Sequence, residues 1–299
     1  MYTINPHHLT IFHAIAEAGS VSRGAERAFI SQPAASAQLR DLERELNISL
    51  FNRLPRGVAL TQAGEILYEH TKKCQFDLRQ TLTAIDDLHG LRRGALSIGA
   101  SLTTGSYYLP QVTATFSARY PDIHIDMTIE NSNLVCAGVF AGRYDIGFTE
   151  GETPAAGLTR ETLFYERLCI IASPANRIAK TLEVSPADLS EVKWIVREEG
   201  SGTRAVVERT LTSIGVRTNI ALTLGSTEAI KRAVCASDFI AVVSRAAAAP
   251  ELEAGMLVEV DCPALALSRP FWIIYSETWR PGPAALAFAS AVKSAWTGE

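Results

Sequence analysis

Apolar residues recur with two different spacings along the 299-residue chain. Over roughly the first ninety residues they step by three and four, which is the spacing of one helix face. From about residue 94 onward, short apolar runs alternate with helical patterns. Strands that alternate with helices are typical of open α/β sheets. The pattern therefore predicts a helical N-terminal part followed by a larger α/β part.

The segment from residue 20 to residue 46 is predicted to form two short helices with a tight connection. The first is predicted to turn Phe29 inward. Ser31 can cap the second, which has Pro33 in its first turn, where proline is tolerated. The outer face of this second helix is polar and includes Gln32, Pro33, Ser36, Gln38 and Arg40. Such a pair is typical of a helix-turn-helix, whose second helix reads DNA.

The next segment, from Leu50 to Thr61, has an apolar anchor, a Pro/Gly turn with two arginines and a short extended return. This pattern predicts a β-hairpin wing. Thr61 can cap a long helix that runs to about Leu91. The helix carries one narrow apolar stripe, formed by Leu67, Thr71, Cys74, Leu78, Leu82, Ile85 and Leu88. A heptad-like stripe on so long a helix favours pairing with a second copy over packing on its own domain.

The α/β part is expected to begin after the GLRRG segment, residues 90–94, which should break the long helix. Strands are predicted at residues 95–100, 123–129, 144–148, 163–172, 194–196, 220–224, 239–243 and 271–275. Helical patterns lie between most of them, and a last helix is predicted from Ala284 to Trp296. The length and the long strand-rich middle suit two α/β lobes that face a cleft.

Composition and charge narrow the class of protein only slightly. The net charge is −4, but residues 1–60 hold six Arg and five acidic residues, whereas the rest holds 22 Lys and Arg against 27 acids. The five cysteines form no CxxC pair, so neither a disulfide framework nor a zinc site is indicated. Because the first twenty residues do not resemble a secretory signal and no apolar run is long enough to span a bilayer, we expect a cytoplasmic protein without a membrane partner.

The stretch SVSRGAERAFISQPAASAQLRDLERELNISLFNRLPRGVALTQAG, residues 20–64, closely resembles the winged helix-turn-helix of LysR-type transcriptional regulators. The Ser-Gln-Pro start, Leu-Phe-x-Arg and Leu-Thr-x-Ala-Gly all occur in register. The α/β remainder has the length and order of that family's effector domain, a two-lobed fold like that of periplasmic binding proteins. The resemblance implies a winged helix-turn-helix domain at 1–60, a linker and dimerisation helix at 61–91 and an effector domain at 94–299. The two lobes would comprise about 94–163 with 268–299, and about 164–267.

By matching positions, the resemblance implies that promoter DNA is the partner of the N-terminal domain. The residues expected at the DNA are Ser31, Gln32, Pro33, Ser36, Gln38, Arg40, Arg53 and Arg56. Glutamine can pair bidentately with adenine, and arginine on a wing neutralises phosphate charge. Ser31 also has a purely structural interpretation as a helix cap. Many relatives have an arginine where this chain has Ala37, so the recognised DNA sequence is expected to differ.

Two segments, residues 99–105 and 197–204, are rich in hydroxyl groups where a strand meets a helix. Free backbone N–H groups at helix N-termini favour anions, although simple helix capping would also explain these residues. The resemblance implies an effector pocket formed by Ser101, Thr103, Thr104, Thr149, Ser201 and Thr203. The Arg-Glu-x-Gly-Ser-Gly-Thr-Arg segment resembles the branch that regulates inorganic sulfur or CO2 assimilation. The expected effector is a small anion, such as an oxyanion or a phosphorylated or carboxylated metabolite.

A solute-binding protein of a transport system is the alternative that the α/β lobes alone would allow. The N-terminal ninety residues, roughly, and the missing export signal favour a regulator instead. No nucleophile–base pair, metal-ligand set or cofactor loop is discernible, so we expect neither an enzyme nor a cofactor. The family resemblance further implies a dimer that associates into a tetramer, whose DNA-binding pairs shift when the ligand binds.

Overall fold

The computed structural model describes residues 5–54, 57–86, 94–153, 156–265 and 267–296. The chain divides into two compact units, Met1–Leu82 and Thr83–Glu299. The helices and strands of the first unit are α1 (Pro6–Ala18), α2 (Val21–Arg27), α3 (Gln32–Leu46), β1 (Phe51–Arg53), β2 (Val58–Leu60) and the start of α4 (Gln62–Asp86). The predicted helix-turn-helix and wing therefore both form.

The first unit is built on capped helices around a small apolar core. The side chains of Asn5, Ser20 and Ser31 each accept a hydrogen bond from a backbone N–H in the first turn of α1, α2 and α3. These bonds satisfy donors that the helix itself leaves free. The core brings the first three helices together and is formed by Ile11, Phe12, Ile15, Ala25, Ala35, Leu39, Leu42 and Leu50.

The predicted inward position of Phe29 is wrong, because its side chain is 96% exposed. Helix α2 ends at Arg27, and Phe29 adopts a positive φ of 55° in the turn that follows. The helical spacing was thus extended two residues past the end of the helix. In the turn, the N–H of Ile30 bonds to the carbonyl of Ala25, and Ile30 takes the inward position against the core.

Helix α4 begins as the sequence predicts, because the Thr61 hydroxyl accepts a hydrogen bond from the N–H of Gly64 at 3.0 Å. Along its predicted stripe, Thr71 is buried, whereas Cys74 and Leu78 are exposed in the single chain. The side chains of Leu82 and Ile85, the whole of Leu88 and the predicted break at residues 90–93 lie outside the described residues. Dimerisation through this stripe stays a prediction.

The described strands of the second unit form one nine-stranded sheet. They are β3 (Gly94–Ser101), β4 (Ile123–Glu130), β5 (Ile146–Glu150), β6 (Leu158–Ala172), β7 (Lys193–Val196), β8 (Asn219–Thr223), β9 (Ile240–Ser244), β10 (Val258–Val260) and β11 (Ser268–Ser276). The order is β4-β3-β5-β11-β6-β9-β7-β8, and β10 pairs with β6. The helices are α5 (Leu109–Arg119), α6 (Ser132–Phe140), α7 (Pro186–Glu191), α8 (Gly202–Ser213), α9 (Thr227–Cys235), α10 (Arg245–Glu253) and α11 (Pro283–Trp296).

The long strand β6 divides the sheet into two lobes. Its residues from Leu158 to Arg167 pair with β11, next to β5, β3 and β4, and this half is called the first lobe. Its residues from Leu168 to Ala172 pair with β9 and β10, and this half, with β7 and β8, is called the second lobe. Each half is covered on both faces by helices, which form separate apolar cores. The chain crosses between the lobes on β6 and β11.

Three elements of the second lobe do not stand out in the sequence. The alanine run at residues 246–249 lies in α10, where the Ser244 hydroxyl caps the N–H of Ala247 at 3.2 Å. The short helix α7 and the three-residue strand β10 are the other two. Such short elements carry too little periodicity to be read from sequence. Among the described residues, no helix is long and apolar enough to cross a membrane.

Candidate DNA-binding face and effector cleft

The outer face of α3 carries the predicted base-reading side chains. Gln32, Pro33 and Arg40 are exposed, and Ser36 and Gln38 are half-buried. The Ser31 hydroxyl accepts a hydrogen bond from the N–H of Ala34 at 3.4 Å, so it caps the helix. This face therefore presents amide and hydroxyl groups in the N-terminal half of α3 and a guanidinium near its middle. Major-groove readers use a helix with such an outer face.

The wing is a two-stranded antiparallel hairpin in which Arg53 pairs with Val58. Its base is held by a hydrogen bond of 3.1 Å from the N–H of Val58 to the carbonyl of Gly19, at the end of α1. Gly57 has a φ of 96°, and a Cβ built on it would lie 2.3 Å from the same carbonyl oxygen. Only glycine therefore fits this turn without strain. The side chain of Arg53 and the whole of Arg56 lie outside the described residues.

In the second unit, the predicted effector residues converge where the two lobes meet. Ser101 ends β3, Thr103 and Thr104 follow it, Thr149 lies on β5, and Ser201 and Thr203 lie at the start of α8. All six are buried, with exposed fractions of 4% or less. The buried region where these elements meet is called the cleft below.

The cleft contains a buried charged side chain that the sequence pattern does not reveal. Arg269, on β11, is fully buried. It is the partner of Glu166 in the β11–β6 register, and its Nε donates to Glu166 Oε2 at 2.7 Å. Its terminal nitrogens donate to Thr203 Oγ1 at 2.5 Å and to Thr103 Oγ1 at 3.2 Å. A single guanidinium thus joins a crossing strand to both lobes.

A second buried group, Glu150 at the end of β5, fills the other part of the cleft. Its carboxylate accepts hydrogen bonds from the hydroxyls of Thr104, at 3.0 Å, and Ser101. Its other oxygen lies 3.3 Å from Arg269 Nη1. Burial raises the pKa of Glu150 above its usual value, although Arg269 and the Thr104 hydroxyl act in the opposite direction. Two of the predicted effector-binding residues, Ser101 and Thr104, therefore already bind the chain's own carboxylate through their hydroxyls.

The second buried carboxylate of the cleft, Glu166, accepts hydrogen bonds from three side chains. The Tyr108 hydroxyl donates to it at 2.7 Å, the Ser244 hydroxyl donates to it from the second lobe, and Arg269 pairs with it. Burial, together with the nearby Glu166 carboxylate, raises the pKa of Tyr108, so this phenol stays protonated and donates. A charge that is buried at this depth requires such partners.

The two lobes also contact each other directly around the cleft. The Tyr107 hydroxyl donates to Glu228 at 2.6 Å, and the amide of Asn131 donates to the carbonyl of Glu199 at 3.2 Å. A Cβ built on Gly202 would lie 1.9 Å from the carbonyl oxygen of Glu150, so glycine permits this close approach. The lobes are therefore in contact across the cleft.

Not all predicted pocket residues have the same surroundings. Ser201 caps α8 by accepting a hydrogen bond from the N–H of Arg204 at 3.4 Å, which matches the capping interpretation. Within the described part of the chain, the buried hydroxyls of Thr149 and Ser132 have no hydrogen-bond partner. Ser132, at the start of α6, was not predicted. Buried hydroxyls without a hydrogen-bond partner are uncommon in folded proteins.

The fold and the cleft define a DNA-binding unit joined to a two-lobed sensory unit, and comparison with known proteins agrees. Residues 6–65 match the model of the bacterial regulatory helix-turn-helix protein, lysR family, and residues 89–297 match that of the LysR substrate binding domain. The chain belongs to the LysR family of transcriptional regulators. It is therefore a DNA-binding regulator with an effector-binding domain, and not an enzyme.

Curated relatives come from the branch that the sequence predicts. The chain is 35% identical to the HTH-type transcriptional regulator CysL of Bacillus subtilis, over 79% of each chain. It is 33% identical to a probable RuBisCO transcriptional regulator of Trichormus variabilis, over 95% of this chain and 86% of the relative. The resemblance to regulators of sulfur and CO2 assimilation is thus confirmed.

Solved structures share the fold. Full-length CbnR complexed with its target DNA aligns with a TM-score of 0.70 and 21% identity, over 97% of this chain and 99% of that one. The regulatory domain of CcmR from Synechocystis PCC6803, in complex with 2-PG, aligns with a TM-score of 0.64 and 22% identity, over 69% of this chain and 99% of that one. The predicted fold class is therefore confirmed, with a winged helix-turn-helix followed by a two-lobed α/β domain.

Proposed function

We propose that this regulator is controlled by a small anionic metabolite that binds in the cleft between the lobes. The observation that carries the proposal is the buried set of hydroxyls around Arg269. Ser101, Thr103, Thr104 and Thr203 all direct a hydroxyl toward a buried charged group. Hydroxyls and a guanidinium are the groups that bind carboxylate, sulfate and phosphate. Thr149 and Ser201 complete the proposed effector site.

The CcmR structure supports the chemical class of this effector, since that regulatory domain is in complex with 2-PG. In our proposal, the two lobes exchange between two arrangements, and the effector binds one of them more tightly than the other. It shifts an existing equilibrium by that difference in affinity. The shift reaches the DNA-binding pairs through the linker helices.

On the DNA side, we propose that α3 lies in the major groove and the wing lies near the minor groove. The proposed contacts are Ser31, Gln32, Pro33, Ser36, Gln38, Arg40, Arg53 and Arg56. The exposed positions of Gln32 and Arg40 support the first part of this set. The proposed division is 1–60 for the DNA-binding domain, 61–91 for the linker helix and 94–299 for the effector domain, with pairing through α4 and further association into a tetramer.

Calorimetry and gel shifts test the two halves of this proposal. The full chain should bind double-stranded DNA from its own promoter more tightly than unrelated DNA. Sulfate, inorganic phosphate or 2-PG should bind with measurable heat and change the mobility of the DNA complex. If only neutral apolar compounds bind, the anionic effector is wrong. If the chain retains no promoter duplex even at low salt, the proposed DNA-binding face is wrong.

A further inference from the structure

We propose that Glu150 is a resident carboxylate that occupies the anion subsite of the cleft, so that an effector anion binds there only in exchange for this carboxylate. The proposal rests on the proposed function, because it assumes that the cleft receives an anion. It adds a residue that sets the specificity and the strength of binding. Its basis is that the same hydroxyls cannot serve two anions at once.

The contacts of Glu150 are those that a bound anion would make. Its carboxylate accepts hydrogen bonds from Ser101 and Thr104, and lies 3.3 Å from the guanidinium of Arg269. The side chain of Glu150 is 2% exposed, so water does not reach these groups. An incoming carboxylate or oxyanion would need the same hydroxyls and the same cation.

The balance of charge makes the exchange necessary. Glu150 and Glu166 place two buried carboxylates around the single cation of Arg269. Arg197, the other cation that acts on Glu150, is also buried and is already paired with Glu198 at 2.8 Å. A free anion that entered without removing a charge would be the third anion at one guanidinium. Like charges in a site of low dielectric repel strongly, so Glu150 must leave or lose its charge first.

Both routes are open to Glu150. It is the last residue of β5, and Gly151 behind it has a positive φ of 75° at the contact with Gly202. The side chain therefore lies at the border of the lobes, where a change of the lobe contact would release it. Burial also raises its pKa, which favours the neutral form that does not repel an anion.

The groups that face Glu150 fix the direction of the pH dependence. Arg269 of β11 and Arg197 of β7 stabilise its charge, whereas Glu166 of β6 and burial oppose it. As pH falls, Glu150 takes up a proton and the competition with an external anion ends. Anion affinity of the unmodified protein should therefore rise as pH falls.

Calorimetric titration of the full chain with inorganic sulfate tests the proposal. At pH 8, the Kd of Glu150→Gln should be at least tenfold lower than that of the unmodified chain, and the difference should shrink toward pH 5.5. The amide keeps the shape but carries no charge. Glu161→Gln is the matched control, since Glu161 is half-exposed on β6 and pairs with Lys293 at 2.7 Å; it should bind sulfate as the unmodified chain does. Equal affinity of the unmodified chain and Glu150→Gln at pH 8 would overturn the proposal.

A second variant covers the case in which the amide disturbs folding. Glu150→Ala leaves a space beside Ser101, Thr104 and Arg269 that formate can enter. Formate should raise the melting temperature of this variant saturably and leave that of the unmodified chain unchanged. No formate effect on the variant would contradict a carboxylate subsite. If promoter binding still responds to 2-PG in that case, the resident carboxylate is wrong and the proposed function stands; if no anion affects either, both are wrong.

Discussion

At the scale of single residues, one buried cation in the second unit balances two buried carboxylates. Arg269 is fully buried, pairs with Glu150 and Glu166, and donates hydrogen bonds to Thr103 and Thr203. Tyr108 in turn donates a hydrogen bond to Glu166. A buried ion pair adds little net stability, but removing one partner leaves the other charged and unpaired. The arginine is therefore needed because of the carboxylates that it faces.

Replacing Arg269 with methionine should strongly destabilise the chain. Glu150 and Glu166 would both lose their cation, at a cost of about 3–5 kcal/mol in the free energy of unfolding. Urea unfolding followed by circular dichroism measures the loss. The exposed Arg280 is the matched control, and Arg280→Met should stay within about 0.5 kcal/mol of the unmodified chain. Similar losses in the free energy of unfolding for both variants would show that Arg269 does not stabilise the buried carboxylates.

The raised pKa of Glu150 predicts how stability changes with pH. The folded state binds the proton of the Glu150 carboxyl more tightly than the unfolded chain does, in which the pKa of this carboxyl is 4.5. Its contribution to stability is therefore fully present below pH 4.5 and is lost as pH rises through the higher pKa of the folded state. Relative to Glu150→Gln, the unmodified chain should lose stability from pH 5 to pH 8 in urea titrations. A difference that is constant over this range would contradict the prediction.

At the scale of elements, the recognition helix α3 separates two kinds of side chain. Its inner face packs on α1 and α2, and its outer face carries amide and hydroxyl groups at the N-terminal half. The cap at Ser31 fixes where this face begins. Specificity therefore depends on the outer side chains, and folding depends on the inner ones.

Substituting Gln32 with alanine should relax sequence specificity rather than abolish DNA binding. A lost bidentate contact to a base costs about 1–3 kcal/mol, and only for the operator that carries that base. Gel shifts with promoter DNA and with scrambled DNA measure the two affinities. Gln111→Ala, at an exposed position of α5, is the control and should leave both unchanged. Equal losses on both DNAs would argue against direct readout by Gln32.

At the scale of the whole sensory unit, the contacts between the lobes decide which state predominates. Tyr107 and Tyr108, at consecutive positions of the first lobe, bind Glu228 of the second lobe and Glu166 of the crossing strand. Burial and the Glu228 carboxylate raise the pKa of Tyr107, so its hydroxyl remains a donor at every physiological pH. These bonds favour the arrangement in which the lobes touch.

Tyr107→Phe should weaken this arrangement without unfolding either lobe. A hydrogen bond to a charged group contributes about 1.5–3 kcal/mol, reduced here because Glu228 is partly exposed. Hydrogen exchange should become faster at the start of α8 and α9 while the cores of both lobes keep their protection. Tyr165→Phe, at an exposed tyrosine of β6, is the control and should not change exchange. Unchanged exchange at α8 and α9 in Tyr107→Phe would contradict the role of this bond.

Much of the architecture could be predicted because it depends on local patterns. Helical spacing, caps such as Ser31 and Thr61 and alternating strands identified most elements to within a few residues. Phe29 was misplaced because helical spacing does not show where a short helix ends. The hydroxyls of the cleft were found through the family resemblance. Arg269 and Glu150 were not, because each lies in a strand segment that looks ordinary in sequence.

The amino-acid sequence by itself determined the order of domains, the recognition helix and the class of regulator, because these follow from periodicity, caps and a motif of contiguous residues. The tertiary structure decided what occupies the cleft. Glu150, Glu166 and Arg269 come from three strands, up to 119 positions apart in the chain numbering, and only the pairing of β5 and β6 with β11 brings them together. Long-range charge pairing leaves no local signal, since its partners are chosen by strand register and burial.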